Sequence, residues 1–501
     1  MLNKIRYLLR PAIFVCTALF LSACNQPVEN AVRFGLASMP SNLDPLYATD
    51  AASSRIGRLL FQKLVDFDDS KMPVPGISNW EKISETHYRF RLNENVKNFH
   101  NGDVLSSADV KATYEFVLDK NNASPHGAAL NMIELIETPD ASSIDFFLSR
   151  ADPLFPAYLV IGIVPKKLIQ QKHAFGKQPV GSGEFKFVNR SEEGKINLLR
   201  LRDNLKLQFI HVPKPTVRVL KLMRGEIDII QNDLLPELIT YLNDNDEVEI
   251  HQIKGSNFKY IGFNMEDPVL KHIEVRQAIA YGINRQEIIQ YVYGDTAREA
   301  TALLPPDHWA GNPALKSYAH DPEKAKSLLK KLGYGPSNPL PLTYKTSSDP
   351  FGLRLATIYQ NQLAQVGIEM DIRSYDWGTF YGDIKQGRFQ LYSLAWIGIK
   401  TPDIFRYTSH SDAIPPKGAN RGRYIDKEAD NLIEKAESYA DLNQQANYYR
   451  QLQAHLLEQL PYVPLWYEDQ VVIIRNNVKQ YSISADGNYD GLKTVKLAGS
   501  I

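Results

Sequence analysis

The chain has 501 residues, 44% of them hydrophobic and 23% charged, with 57 basic and 57 acidic side chains. That length is too great for one compact core and implies two or three domains. The composition excludes a disordered or collagen-like polymer, and the balanced charge gives no footing for nucleic-acid binding.

The first 24 residues carry Lys4, Arg6 and Arg10 but no acid, followed by an apolar run from Ala12 to Leu21. A basic start with an apolar run too short to span a bilayer is the pattern of a secretory signal. It ends in Leu21-Ser22-Ala23-Cys24, which resembles a bacterial lipobox. Cleavage before Cys24 and acylation of its thiol would anchor the chain to a membrane on the extracytoplasmic side of a bacterial envelope. The polar stretch 25–31 reads as a tether, and Asn25 leaves the choice between inner and outer membrane open. The only other cysteine, Cys16, lies inside the signal, so the mature body holds neither a disulfide nor a thiolate metal site.

Beyond the tether, short strands and helices mix throughout. Ser106-Ser107-Ala108-Asp109 is a capping box that opens a helix with Val110, Tyr114 and Val117 on one face. Val219, Leu220 and Leu222 belong to an apolar helix ended by Gly225, and Ile227, Ile229 and Ile230 start a strand. Asn284-Arg285-Gln286-Glu287 caps another helix. Asp321-Pro322 opens a third that Gly333 closes. A helix near 351–366 stops at Gly367, and Ile368, Met370 and Ile372 alternate as a strand. Helices follow from about 426 and 443, the second ended by Pro461, and Gln470–Arg475 is a β-branched strand. No repeat interrupts this order, and the α/β alternation of the second half predicts an open sheet flanked by helices.

A series of segments carries a resemblance. In order they are Asn42-Leu43-Asp44-Pro45, Leu60-Phe61-Gln62-Lys63-Leu64-Val65, Pro73-Val74-Pro75-Gly76, Phe99-His100-Asn101-Gly102-Asp103, Pro179-Val180-Gly181-Ser182-Gly183, Arg224-Gly225-Glu226-Ile227-Asp228, Tyr260-Ile261-Gly262-Phe263-Asn264, Val275-Arg276-Gln277-Ala278 and Pro461-Tyr462-Val463-Pro464-Leu465. The series resembles the family 5 extracellular solute-binding proteins, the dipeptide- and oligopeptide-binding group, over nearly the whole mature chain. The resemblance implies an α/β, two-lobe periplasmic-binding-protein fold of class II, with an extra subdomain in lobe I and two crossover strands. On this chain lobe I falls at 32–63, 166–258 and 470–501, the extra subdomain at 64–165 and lobe II at 259–469. The crossovers are expected near 259–264 and 469–473.

The same resemblance implies a monomeric receptor, not an enzyme. It would capture a peptide-like solute between the lobes and deliver it to the permease subunits of an ABC importer, with no cofactor and no metal. In peptide-binding members a tryptophan is followed three residues later by an aspartate that receives the ligand's α-ammonium group. Here Trp396 is present, Ile399 stands where the aspartate belongs, and Pro402-Asp403 matches the motif's later pair. An unpaired ammonium is costly to bury, so either Asp403 or Asp376 substitutes, or the ligand lacks a free amine at that place. Lys400 would favour an acidic or N-blocked ligand. The expected cleft residues are Trp396, Ile397, Ile399, Asp403, Tyr260, Asn257, Ser38, Ile56 and Ser347, with Met39, Arg55, Trp309 and the 346–349 loop beside them. Two other classes compete: an envelope-anchored hydrolase, and a surface interaction protein on the same fold. The chain has no His-Glu-x-x-His, no phosphate-binding Gly-x-x-x-x-Gly-Lys and no Gly-x-Ser-x-Gly, which weighs against the hydrolase.

Overall fold

A computed structural model of the chain describes residues 31–191 and 194–498. The signal, Cys24 and most of the tether lie outside the described residues. Ala31, expected to end the tether, already belongs to the strand Ala31–Leu36 and pairs with Lys206.

The scaffold is one mixed sheet of eleven strands that serves two lobes. In the first lobe, Ala31–Leu36 lies between Ile229–Gln231 and Lys206–His211, with Ile196–Arg200 and Phe185–Arg190 completing the edge. In the second, Leu340–Ser347 lies between Ile368–Tyr375 and Leu391–Trp396, all three running parallel as helix crossovers dictate. Two long antiparallel strands, Val248–Phe263 and Tyr462–Arg475, join the halves. Val472–Ile474 pairs with the first lobe's Ile229–Gln231, and Phe258–Phe263 pairs with the second lobe's Leu391–Trp396. The crossing therefore sits where the ladder breaks, between Ile253 and Asn257 opposite Glu468 to Gln470. One expected crossover matches this position; the other lies a few residues earlier than Lys259. Gly255 is required at the break, because a Cβ there would stand 2.2 Å from the Glu468 carbonyl oxygen.

Local structure follows the caps. Ser106 and Asp109 form a reciprocal capping box on the helix Ser107–Leu118, and Asn284, Asp321 and Asp349 each accept a backbone N–H at a helix start. Gly225, Gly333 and Gly367 take φ values of +67°, +86° and +93° after helices. The helix Leu442–Gln459 ends on Leu460 in the left-handed region, one residue before the expected proline. The following strand begins at Tyr462, earlier than its β-branched run suggests, because Val463, Leu465 and Trp466 are buried in the second lobe.

Residues 78–148 form a four-stranded antiparallel sheet covered by the helix Ser107–Leu118. Its Phe90, Tyr114 and Phe146 share one continuous apolar cluster with Val32, Phe34, Leu59 and Leu60 of the first lobe. The subdomain is thus fused to that lobe through a common core. The second lobe has its own clusters, around Ile279, Tyr359 and Trp466 and around Phe405, Tyr449 and Leu452.

Buried charges tie the first lobe together. Asp228, fully buried, accepts hydrogen bonds from the Arg33 backbone N–H at 2.8 Å, from Arg33 Nε and Nη2 at 2.9 Å each, and from Asn477 Nδ2 at 3.2 Å. Arg200, 1% exposed, donates to the carbonyls of Leu492, Lys493 and Val495 at 2.8–3.2 Å and to both carboxylate oxygens of Asp203. This arginine fixes the C-terminal segment, which supplies one wall of the cavity described below. Removing one partner of a buried, fully bonded charge costs about 3–5 kcal/mol. Arg200→Met is therefore expected to lower the urea midpoint strongly, and Arg200→Lys to restore little, since one ammonium cannot reach five acceptors.

Candidate functional site

A cavity of about 510 Å³ lies between the lobes. The helix Ala51–Leu60 forms its floor. Asp50 caps this helix by accepting from the Ser53 backbone N–H at 2.9 Å. Ile56, Leu59 and Leu60 follow helical spacing into the core, so Ser54, Arg55 and Arg58 face the cavity. Phe61, Lys63, Asp66 and Phe67 continue this wall, and Val160–Gly162 and His126 close its side. The second lobe contributes Ala395, Ile397, Gly398 and Lys400, and the C-terminal segment contributes Asp486 and Asn488.

The charges are arranged in pairs, with exceptions. Arg58 holds Asp66 bidentately at 2.8 Å through both oxygens and also donates to Asp490 at 2.7 and 3.0 Å. Burial alone would raise the Asp66 pKa, but Arg58 outweighs it and the carboxyl titrates at about 2. Lys400 reaches across the cleft to Asp486 at 3.1 Å and packs its ammonium over the Phe67 ring at 4.8 Å. Burial opposes ionisation of Asp486 too, yet Lys400 and hydrogen bonds from Ser484 and Asn488 hold its pKa far below the usual carboxylate range. The backbone at Lys400 is fixed by His308. Its Nδ1 accepts from Ala310 N at 3.1 Å, so Nε2 carries the proton donated to the Lys400 carbonyl at 3.0 Å. Burial lowers the His308 pKa to about 4, which keeps this ring neutral.

The expected site residues separate into three groups. Ile397 lines the cavity, 54% exposed. Trp396 and Tyr260 lie behind it in the second lobe. There the Arg421 guanidinium stacks 4.5 Å over the Trp396 ring and donates to the hydroxyls of Tyr260 at 3.1 Å and Tyr381 at 3.2 Å. Ile399 packs against the aromatic cluster of that lobe and does not line the cavity. Ile56 is wholly core, and the cavity-facing positions are its neighbours Arg55 and Arg58. Ser38 is exposed beyond the first strand, and Ser347 ends its strand with its carbonyl accepting from Ser374 Oγ at 3.4 Å. Asn257 sits at the break in the long strand pair with a buried, unpartnered Oδ1. Neither proposed substitute acid lines the cavity. Asp376 caps the helix Trp377–Gln386, and Asp403 lies beside Thr401, whose hydroxyl it accepts. Arg58, Lys63, Asp66 and Asp486 escaped the sequence reading. Alternation of charge and apolar groups along 54–60 was the signal available for the first of these.

Burial, with the charges of Asp152 and Glu437 nearby, pushes the Asp403 pKa up to about 6. A carboxyl whose folded pKa exceeds its unfolded value destabilises the fold as pH rises through that interval and is harmless below it. Asp403→Asn is therefore expected to stabilise the protein at pH 8 by roughly 1–3 kcal/mol, with the gain vanishing near pH 4. Thermal unfolding across that pH range checks it.

The comparisons with known proteins agree on one lineage. The family model for the bacterial extracellular solute-binding proteins, family 5 middle region, matches residues 73–414. The chain is 28% identical over 503 residues to the di/tripeptide-binding protein 2 of Pseudomonas aeruginosa, covering 92% of this chain and 94% of that protein. It is 26% identical to the heme-binding protein A of Haemophilus influenzae, covering 94% and 93%. Among solved structures, the ABC transporter-associated periplasmic binding protein DppA from Helicobacter pylori, in complex with the peptide STSA, superposes with a TM-score of 0.80 at 27% identity, covering 93% of this chain and 98% of that one. The fold, the interlobe cavity and a match over most of the chain place this protein among the bacterial extracellular solute-binding proteins of family 5.

Proposed function

We propose that the chain is the substrate-binding subunit of an ABC importer, capturing a peptide or peptide-like solute between its lobes. The observation that carries this reading is the 510 Å³ cavity walled by both lobes and bridged by Lys400 and Asp486. Its size is that of a small-molecule site, and closure over a ligand is the ordinary use of two lobes on a paired hinge. The peptide-binding relatives support the ligand class, while the heme-binding relative shows that the scaffold also serves other solutes. We take the lobes to divide at 32–63, 166–258 and 470–501 for the first, 64–165 for its subdomain and 259–469 for the second. We further propose that Cys24 is acylated and that the anchored protein hands its solute to permease subunits in the membrane. No helix among the described residues is long and apolar enough to cross a membrane.

Two of the cavity's three acids are held by cations, and the third, Asp50, by hydroxyls. Asp50 accepts from the Ser41 and Ser53 hydroxyls, Asp66 is held by Arg58, and Asp486 by Lys400. A free α-ammonium would have to displace Lys400 from Asp486 or the Ser41 and Ser53 hydroxyls from Asp50. N-acetyl-Ala-Phe is therefore expected to bind more tightly than Ala-Phe, and Lys400→Met, which frees Asp486, to narrow or reverse that order in calorimetry. X-ray scattering should show compaction with the binding ligand. Ligand binding without compaction, or equal affinities that Lys400→Met leaves unchanged, would count against the reading. For the anchor, Cys24→Ser is expected to shift the protein from the membrane to the soluble fraction; unchanged fractionation would remove that part of the proposal.

A further inference from the structure

Four cations line the cavity, and two of them have no carboxylate. Arg58 and Lys400 are engaged by Asp66, Asp490 and Asp486. Lys63 lines the cavity and forms no ion pair or hydrogen bond through its ammonium among the described residues. Arg55 faces the same space with its guanidinium 5.6 Å over the Tyr489 ring and no acid within ion-pair distance. The backbone around Lys63 is rigid, because its carbonyl accepts from the Ile77 N–H at 2.9 Å. The two residues stand on one continuous wall, on and just after the helix Ala51–Leu60.

Resting on the reading of this cavity as the solute site, we propose that the solute carries at least one carboxylate, received by Lys63 and Arg55 on the wall of the first lobe. Two cavity-lining cations without an ion-paired acid among the described residues leave a site that an anion completes and that an ammonium or neutral group does not. Arg55 supplies a planar fork suited to a carboxylate, and Lys63 a point charge. Burial, and then Arg58 and Lys400, lower the Lys63 pKa to about 7, while Asp66 and Asp490 oppose the shift. A bound carboxylate would restore the charged form, so binding takes up a proton and weakens as pH rises above about 7. His126, Asp50 and Asp486 complete the ionisable groups of the cavity.

The test uses the mature protein and three matched probes: N-acetyl-Ala-Glu, N-acetyl-Ala-Gln and N-acetyl-Ala-Gln amide, with two, one and no carboxylates. Affinity by calorimetry should fall along that series. Lys63→Met should weaken the acidic probe by about 30-fold or more, the range for truncating one partner of a buried charge pair, and leave the amide nearly unchanged. Affinity of wild type for the acidic probe should drop by roughly tenfold between pH 7 and pH 9, as a group of pKa near 7 discharges. Lys63→Arg should bind with little pH dependence. Equal affinity for acid and amide, or an unaltered Kd in Lys63→Met, overturns the proposal. The solute released from protein purified from its own envelope is identified by mass spectrometry in parallel. A non-peptide anion there, with no peptide bound, would end the peptide reading and uphold this one. A neutral or cationic solute would overturn it.

Discussion

The antiparallel pairing of Val248–Phe263 with Tyr462–Arg475 is the constraint on which the molecule depends. It is the one ladder that touches both halves of the sheet. Trp396, at the rear of the cavity, takes its place by pairing with Phe258 on this ladder. The C-terminal wall takes its place because Tyr462–Arg475 leads directly into it. The ladder is broken at Lys254 to Ser256, with the Gly255 backbone pressed against Glu468, and a second, single-residue bulge follows between Lys259 and Tyr260. A register break concentrates bending at one point and leaves each lobe rigid, so a change in cavity width has a defined place to occur.

Each lobe is also locked by the same local device. Arg218 donates to the carbonyls of Val212 and Pro213, six and five residues before it, and Arg276 does so to Leu270 and Lys271. Both arginines stand on helices that cover a lobe's sheet, and Arg276 also reaches the Gln459 carbonyl at 2.7 Å. Carbonyl acceptors satisfy a guanidinium without placing a second full charge in the interior. In the cavity carboxylates pair with cations, as Asp228 does with Arg33 elsewhere in the first lobe, and Lys63 and Arg55 are left over. The lobes' structural arginines are held by backbone carbonyls or by a carboxylate, whereas Lys63 and Arg55, which have no ion-pair partner among the described residues, face the space between the lobes.

Much of the fold was legible because its signals are local. Caps at Ser106, Asn284 and Asp321 and stops at Gly225, Gly333 and Gly367 act within a few residues and appear where expected. The first half of the strand Tyr462–Arg475 is hidden in the sequence, since Pro464, Glu468 and Asp469 are poor strand residues until tertiary burial of their neighbours holds them. The site was far less legible. Ile56 and Arg55 differ by one position, and only the helix's packing decides which faces the cavity. Likewise Ile399 and Lys400 are adjacent, yet one packs on aromatics and the other crosses the cleft. Asp486 is 86 residues from Lys400, and nothing in either local sequence announces their contact.

The cavity is assembled from residues near 43–67, 126, 160–162, 395–400 and 486–488. Its walls are thus drawn from almost the full span of the polypeptide, and no contiguous fragment contains them. Contacts of such sequence separation form late, after the loop-closure entropy between them has been met. A chain that is still threading, or whose tail has not yet been pinned by Arg200, has helices and a partial sheet but no enclosed site. Ligand competence therefore depends on segments from nearly the whole chain being in place at once, and a partly folded chain has no enclosed cavity in which to hold solute.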